Sequence, residues 1–177
     1  MIDFCVLGSG IAGSTIANLL SKKYSVHVFD KARGAGGRSS NKKLKSNLSF
    51  DHGVQYISPK SKVFTKIIQK LSKKKILKTW DGNHLDFTFE KKTLNPKYIG
   101  VKANNALSKY YLKNIKTSFS SQIVKIEHKK YFWEIKLDDN SKHQFKALIL
   151  TCPFPQLKKL AGRYLGKKVS NLKIQME

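Results

Sequence analysis

Three glycines, an acid and an arginine stand at spacings that can hold a dinucleotide. Gly8, Gly10 and Gly13 form a G-x-G-x-x-G set, with Ser9, Ile11 and Ala12 between them. In such a set the first glycine allows a tight turn. The second lets the backbone approach a pyrophosphate with no side chain in the way, and the third lets the following helix pack closely on its strand. The amides that open the helix face the phosphates, and the helix dipole favours their charge. Asp30 follows the glycines at roughly 20 residues, where an acid accepts hydrogen bonds from ribose hydroxyls and disfavours a 2′-phosphate. A second glycine-rich loop comes next, Lys31-Ala32-Arg33-Gly34-Ala35-Gly36-Gly37-Arg38. Gly36-Gly37 offers backbone amides to an anion, and the Arg38 guanidinium can grip phosphate in two places.

The elements around these residues are those the chemistry needs. The apolar run Ile2, Phe4, Cys5, Val6, Leu7 predicts a strand, residues 14–23 a helix, and Val26-His27-Val28-Phe29 a second strand ending on Asp30. Residues 39–51 alternate loosely and predict an exposed hairpin. Residues 60–73 predict an amphipathic helix with Val63, Ile67, Ile68 and Leu71 facing the core. Strands are expected at 76–80 and 85–90 with a turn at 81–83, and Trp80 and Phe87 default to core packing. A helix near 103–112 precedes strands at 122–127, 131–137, 143–145 and 147–150. Alternation of Phe132, Glu134, Lys136 with Trp133, Ile135, Leu137 predicts a sheet with one face buried.

The segment from Asp30 to Arg38, together with Phe50-Asp51-His52-Gly53-Val54-Gln55-Tyr56, closely resembles the renalase-like branch of the FAD-dependent amine oxidase superfamily. The resemblance runs from Met1 to about Tyr164. It implies that the paired glycines and Arg38 contact the FAD pyrophosphate, with Lys31 and Arg33 in the same loop. It places Gly53, Val54, Gln55 and Tyr56 by the flavin ring, and backbone groups at Ile123 on the adenine. His52 reads as a variable neighbour, and Asp51 as a group bonded to amides of its own turn. The 98–104 stretch resembles the family's short glycine segment, from which Lys102-Ala103-Asn104 departs. Thr151-Cys152-Pro153-Phe154-Pro155 resembles the exit loop close to the cofactor.

The implied fold is α/β: a Rossmann-like FAD/NAD(P)-binding domain of parallel sheet plus antiparallel meander, with part of a smaller α+β substrate domain. Its expected segments are 1–53 and 98–162 for the FAD domain, 54–97 for the substrate insertion, and 163–177 as the start of a further segment. In the family the flavin domain is completed by C-terminal segments. The chain is therefore expected to be the N-terminal half of a longer oxidoreductase whose other half is its partner.

Charge sets a second constraint. The 177 residues carry 35 Lys+Arg against 11 Asp+Glu, a net charge of +24. Such a balance invites a nucleic-acid or anionic-membrane reading. Yet the arginines are only Arg33, Arg38 and Arg163, the lysines are scattered, and the longest run is Lys73-Lys74-Lys75. Generic lysine enrichment on solvated faces explains this better. Neither a specific nucleic-acid partner nor a membrane is expected, although an anionic substrate would be drawn in. Two cysteines, Cys5 and Cys152, give no disulfide framework. With no basic n-region after Met1 they predict a reducing, cytoplasmic setting.

No Ser-His-Asp elbow, metal cluster or C-x-x-C pair is present, so hydrolase, metalloenzyme and dithiol readings lack residues. The resemblance implies an oxidase that moves hydride from a dihydronicotinamide-like or amine substrate to FAD, with oxygen as acceptor. Gln55 and Tyr56 are the candidates to line the flavin ring, and no catalytic acid or base stands out. The alternatives are a non-catalytic nucleotide- or nucleic-acid-binding basic module and a non-functional truncated product.

Overall fold

The computed structural model describes residues 1–44, 48–82 and 96–172. They divide into two compact units, one of residues 1–35 and 111–177, the other of residues 36–110. The expected boundaries at 53/54 and 97/98 fall inside the second unit.

The first unit is built on a six-stranded sheet. Its strands are β1 (Ile2–Leu7) and β2 (Val26–Phe29), then β7 (Lys116–Ser118), β8 (Ile123–His128), β9 (Trp133–Leu137) and β10 (Lys142–Leu150). The spatial order is β7-β2-β1-β10-β9-β8. The first four strands in this order run parallel, and β9 and β8 extend them as an antiparallel meander in which β9 alone opposes the four. The fold is thus mixed α/β with a mostly parallel sheet and an antiparallel extension, as expected. The separately expected strands at 143–145 and 147–150 form one continuous strand.

Period two of the strands explains the burial on both faces. Cys5, Phe29 and Phe145 join Ile126, Ile135 and Leu137 in one cluster, which Leu157 and Leu160 of α4 (Phe154–Ala161) cover. Val6, Val26 and Val28 point the other way, onto Ala17 of α1 (Ile11–Leu20) and Leu112 of α3 (Ala106–Leu112). A sheet covered on both faces needs the near-continuous apolar runs seen in β1 and β2. Cys5 is packing, and burial pushes its thiol pKa up.

Register aligns the carboxyl ends of the four parallel strands. Leu7 lies opposite both Phe29 and Leu150, and Phe29 opposite Ser118. The crevice outside these ends, where the order reverses around β1, is where open α/β sheets take their ligands.

The second unit holds two small antiparallel pairs. β3 (Asn41–Lys43) with β4 (Ser49–Asp51) makes the expected hairpin. β5 (Leu77–Thr79) pairs with β6 (Tyr98–Gly100). The strand expected at 85–90, with Asn83 and Phe87, lies outside the described residues. α2 (Lys62–Lys73) starts at the Ser61 cap, whose hydroxyl accepts from the Phe64 amide at 3.2 Å. Of its expected apolar face, Ile68 and Leu71 are buried, but Val63 is 71% and Ile67 37% exposed. Among the described residues of this unit, α2 packs on β5 of the β5–β6 ribbon.

Candidate dinucleotide site

The glycine turn sits where the β1–β2 ladder ends. The Gly8 amide donates to Phe29 O at 2.8 Å, and Gly8 has φ +104°, a conformation that side chains disfavour. A Cβ on Gly13 would lie 1.9 Å from Gly8 O, so the helix can approach the turn only with glycine there. Helix α1 begins at Ile11, earlier than the expected residue 14. Gly13 is therefore inside the helix, and close packing overrides its low helix propensity. The Gly10 cap makes no side-chain hydrogen bond and the first turn holds no acid. The first helical bond runs from Ser14 N to Gly10 O at 2.9 Å. Ile11 and Ala12 are exposed residues, and their amides are unpaired among the described residues, as the first donors of an uncapped helix are.

Asp30 is fixed beside this turn. Its Oδ2 accepts from the Ser9 amide at 2.7 Å and from the Ser9 hydroxyl at 2.5 Å. Its Oδ1 accepts from the Ala32 amide at 2.8 Å. Ser9 is fully buried, so it faces the acid and not solvent. The sequence pointed to Ser9 as part of the phosphate turn; its donors are spent on orienting Asp30. Lys31 and Arg33 are exposed on the loop that follows.

Thr151, at the end of β10, locks the turn from below. Its hydroxyl donates to Leu7 O at 2.8 Å, and a Cβ on Gly8 would lie 2.6 Å from it. Neighbouring Cys152 is half-buried; burial raises its thiol pKa, against the pull of Lys31. Ile123 opens the edge strand β8, buried and opposite Leu137. Next to it the ladder shifts register, and Val124 stands out exposed.

The remaining candidates belong to the second unit. Gly36 (φ +138°) and Gly37 (φ +54°) turn the chain into a short 3-10 segment that carries an exposed Arg38. Ser39 closes it, its amide and hydroxyl both donating to Gly36 O, at 2.9 and 2.8 Å. Gly53 passes so close to Arg38 that a Cβ would lie 2.0 Å from its carbonyl oxygen, which accepts from the Val54 amide at 2.9 Å. Gln55 and Tyr56 are exposed. The Tyr56 and Trp80 rings are 5.6 Å apart, with the Lys97 ammonium 4.2 Å from the Tyr56 ring centre. Trp80 is therefore not in the core, contrary to expectation.

Asn104 organises this segment. It is 2% exposed. Its side-chain amide donates to Val54 O at 2.7 Å and Gln55 O at 2.9 Å, and its Oδ1 accepts from the Gly100 amide at 2.9 Å. Its backbone amide donates to Asp51 Oδ1 at 3.0 Å. Asp51 also accepts from Asn41 Nδ2 at 3.2 Å. Asp51 thus bonds a distant loop and a cross-strand neighbour, and not amides of its own turn. The local bond to Gly100 does not reveal the role of Asn104, since the Val54 and Gln55 carbonyls it holds lie 50 and 49 residues away.

Chemically, the first unit offers free amides for an anion and an oriented carboxylate for hydroxyls. Among the described residues no group of three His, Cys, Asp or Glu could hold a metal ion. No helix among them is long and apolar enough to cross a membrane.

Comparison with known proteins places these features. Residues 6–71 match the NAD(P)-binding Rossmann-like domain family. The renalase of Mus musculus is 30% identical over 168 residues, 89% of this chain and 48% of that protein. The chain therefore spans about half the length of that relative. Two solved structures of putrescine oxidase variants with redesigned cofactor binding share the fold. One has a TM-score of 0.67 at 11% identity, over 90% of this chain and 60% of its own. The other has a TM-score of 0.74 at 10% identity, over 96% and 62%. Residues 6–71 are thus similar to an NAD(P)-binding Rossmann-like domain, and the chain is similar in sequence to about half of that renalase.

Proposed function

We propose that this chain forms the dinucleotide-binding part of an FAD-dependent oxidoreductase of renalase type. The observation that carries the reading is the uncapped start of α1 beside a carboxylate already oriented by Ser9. That pairing suits a pyrophosphate next to a ribose. A cradle that a Cβ on Gly13 would destroy, and unpaired amides at the exposed residues Ile11 and Ala12, fit such a group. In this reading the turn from Gly8 to Gly13 and the Gly36-Gly37-Arg38 loop take the pyrophosphate, with Lys31 and Arg33 adding positive potential. Asp30 takes the adenosine ribose, and the backbone at Ile123 the adenine. Gly53, Val54, Gln55 and Tyr56 line the flavin ring, held by Asn104.

FAD, when bound, supplies hydride acceptance and reoxidation by oxygen. The protein's part is position and potential. Gln55 and Tyr56 are uncharged side chains, which suits an activated dihydronicotinamide-like donor that needs no strong base; an amine is the other donor class in this reading. The net charge of +24 draws in a phosphorylated donor. The reaction is placed in the cytoplasm. The functional division follows the expected segments, with 54–97 as the substrate-domain insertion.

Purification tests this directly. A yellow protein with flavin absorbance supports the reading; a colourless one that takes up no FAD, yet binds polyanions, supports a basic binding module. Asp30→Ala should weaken FAD by about 1–3 kcal/mol, the penalty for hydroxyls left unpaired. Equal FAD affinity in a folded Asp30→Ala variant would refute the ribose assignment.

A further inference from the structure

The run Lys73-Lys74-Lys75 has no part in the dinucleotide reading, yet it borders a cavity of about 780 Å³ in the second unit. That volume falls within the 300–1,000 Å³ typical of small-molecule sites. The cavity lies between the end of α2 and the β5–β6 ribbon. Lys73, Lys75 and Lys78 line it, with Ser72, Tyr98 and Val101. Lys74 faces elsewhere, its ammonium donating to the Tyr110 hydroxyl at 2.7 Å. Among the described residues no acidic group pairs with the three lining lysines.

Two further observations point at a ligand. Ser72 Oγ is buried and has no hydrogen-bond partner among the described residues. Such orphaned hydroxyls are uncommon, because each costs the desolvation of a polar group. Lys75 holds φ +55°. It occupies the left-handed position of a helix-ending motif. The Lys75 amide donates to Ser72 O at 2.9 Å, and the Ile76 amide to Leu71 O at 3.0 Å. Glycine is the usual residue at that position. The chain instead keeps a cation there, at the rim of the cavity. An outlier maintained against local preference is a pointer to function.

We propose that this cavity binds a small molecule with an apolar body and an anionic phosphate or carboxylate head. Lys73, Lys75 and Lys78 take the head, and Ser72 Oγ donates to it. Val101 and the Tyr98 ring contact the body. This site stands on the second unit alone and does not depend on FAD.

The test is calorimetric titration of the whole chain in moderate salt. Phenyl phosphate and benzoate separate the two head groups; inorganic phosphate and phenol report head and body alone. One or both of the first two should bind at least tenfold tighter than either fragment. Lys73→Gln with Lys78→Gln should weaken that binding at least tenfold, and Ser72→Ala several-fold. Lys22→Gln with Lys23→Gln removes the same charge elsewhere and should change it less than twofold. Equal losses in the two double variants would overturn the site, as diffuse attraction to a basic protein. Inorganic phosphate binding as tightly as phenyl phosphate, or no binding by either aryl anion, would overturn it too.

Discussion

Asp30→Asn tests the Ser9–Asp30 arrangement without any cofactor. A carboxamide matches the carboxylate in size but offers one acceptor oxygen. Asp30 now accepts three hydrogen bonds, two from Ser9 and one from Ala32. The amide keeps its oxygen toward Ser9, because Ser9 is fully buried and its donors have no water. Its NH₂ then meets the Ala32 amide, which is exposed and turns to solvent at small cost. The two Ser9 bonds lose their ionic partner, about 1 kcal/mol each, the gap between charged and neutral hydrogen bonds. The expected loss is about 2 kcal/mol of folding stability. Ser9→Ala removes the hydroxyl bond alone and should cost about 1–2 kcal/mol. The two changes share one bond, so their cycle should show a coupling of about 1 kcal/mol. Urea unfolding by circular dichroism at pH 7 reads all four corners. Purely additive changes, or an Asp30→Asn variant within about 0.5 kcal/mol of wild type, would refute the arrangement.

Two more outcomes follow from single residues. His27 is 3% exposed, and burial lowers its pKa from 6.5 to about 4, with Lys116 and His143 adding to the shift. A His whose folded pKa is depressed stabilises the fold above its unfolded pKa, and that contribution is lost as pH falls through 6.5 toward 4. Stability should drop by up to about 3 kcal/mol over this range in urea titrations, and His27→Gln should flatten the profile; an unchanged profile would exclude His27 as its source. At the cavity rim, Lys75→Gly should raise stability by about 0.5–1 kcal/mol, since glycine adopts φ +55° freely, while weakening aryl phosphate binding. A thermal midpoint that falls in this variant would contradict the strain.

Periodicity and glycine spacing carried much of the fold. β1, β2 and the turn between them follow from apolar runs and from glycines that only a close approach requires. The misjudged positions turn on packing contacts, near or distant in sequence, and not on local propensity. Residues 11–13 looked non-helical because of Gly13, whose place is decided by contact with Gly8 O. Val63 and Ile67 have the period of a core face, but what they meet depends on how much sheet lies under α2. Trp80 looked like core for its size; it lies in the open beside Tyr56 and Lys97. Asn104 has one local bond, to the Gly100 amide, but its three others reach Asp51, Val54 and Gln55, which no local pattern reveals.

The bond between Thr151 and Leu7 has a kinetic meaning as well. It joins residues 144 positions apart, across two parallel neighbours, β1 and β10. During synthesis β1, the glycine turn and β2 are made well before β10, the partner that completes β1 on its other side. Residues 36–110 lie between and form their own contacts during the wait. Long-range parallel pairing of this kind is slow to form and leaves apolar strand edges open meanwhile. The nascent first unit thus stays an unfinished sheet until Thr151 is made. A chain released before that residue would expose β1 with one edge unpaired, the state most prone to pair with another copy.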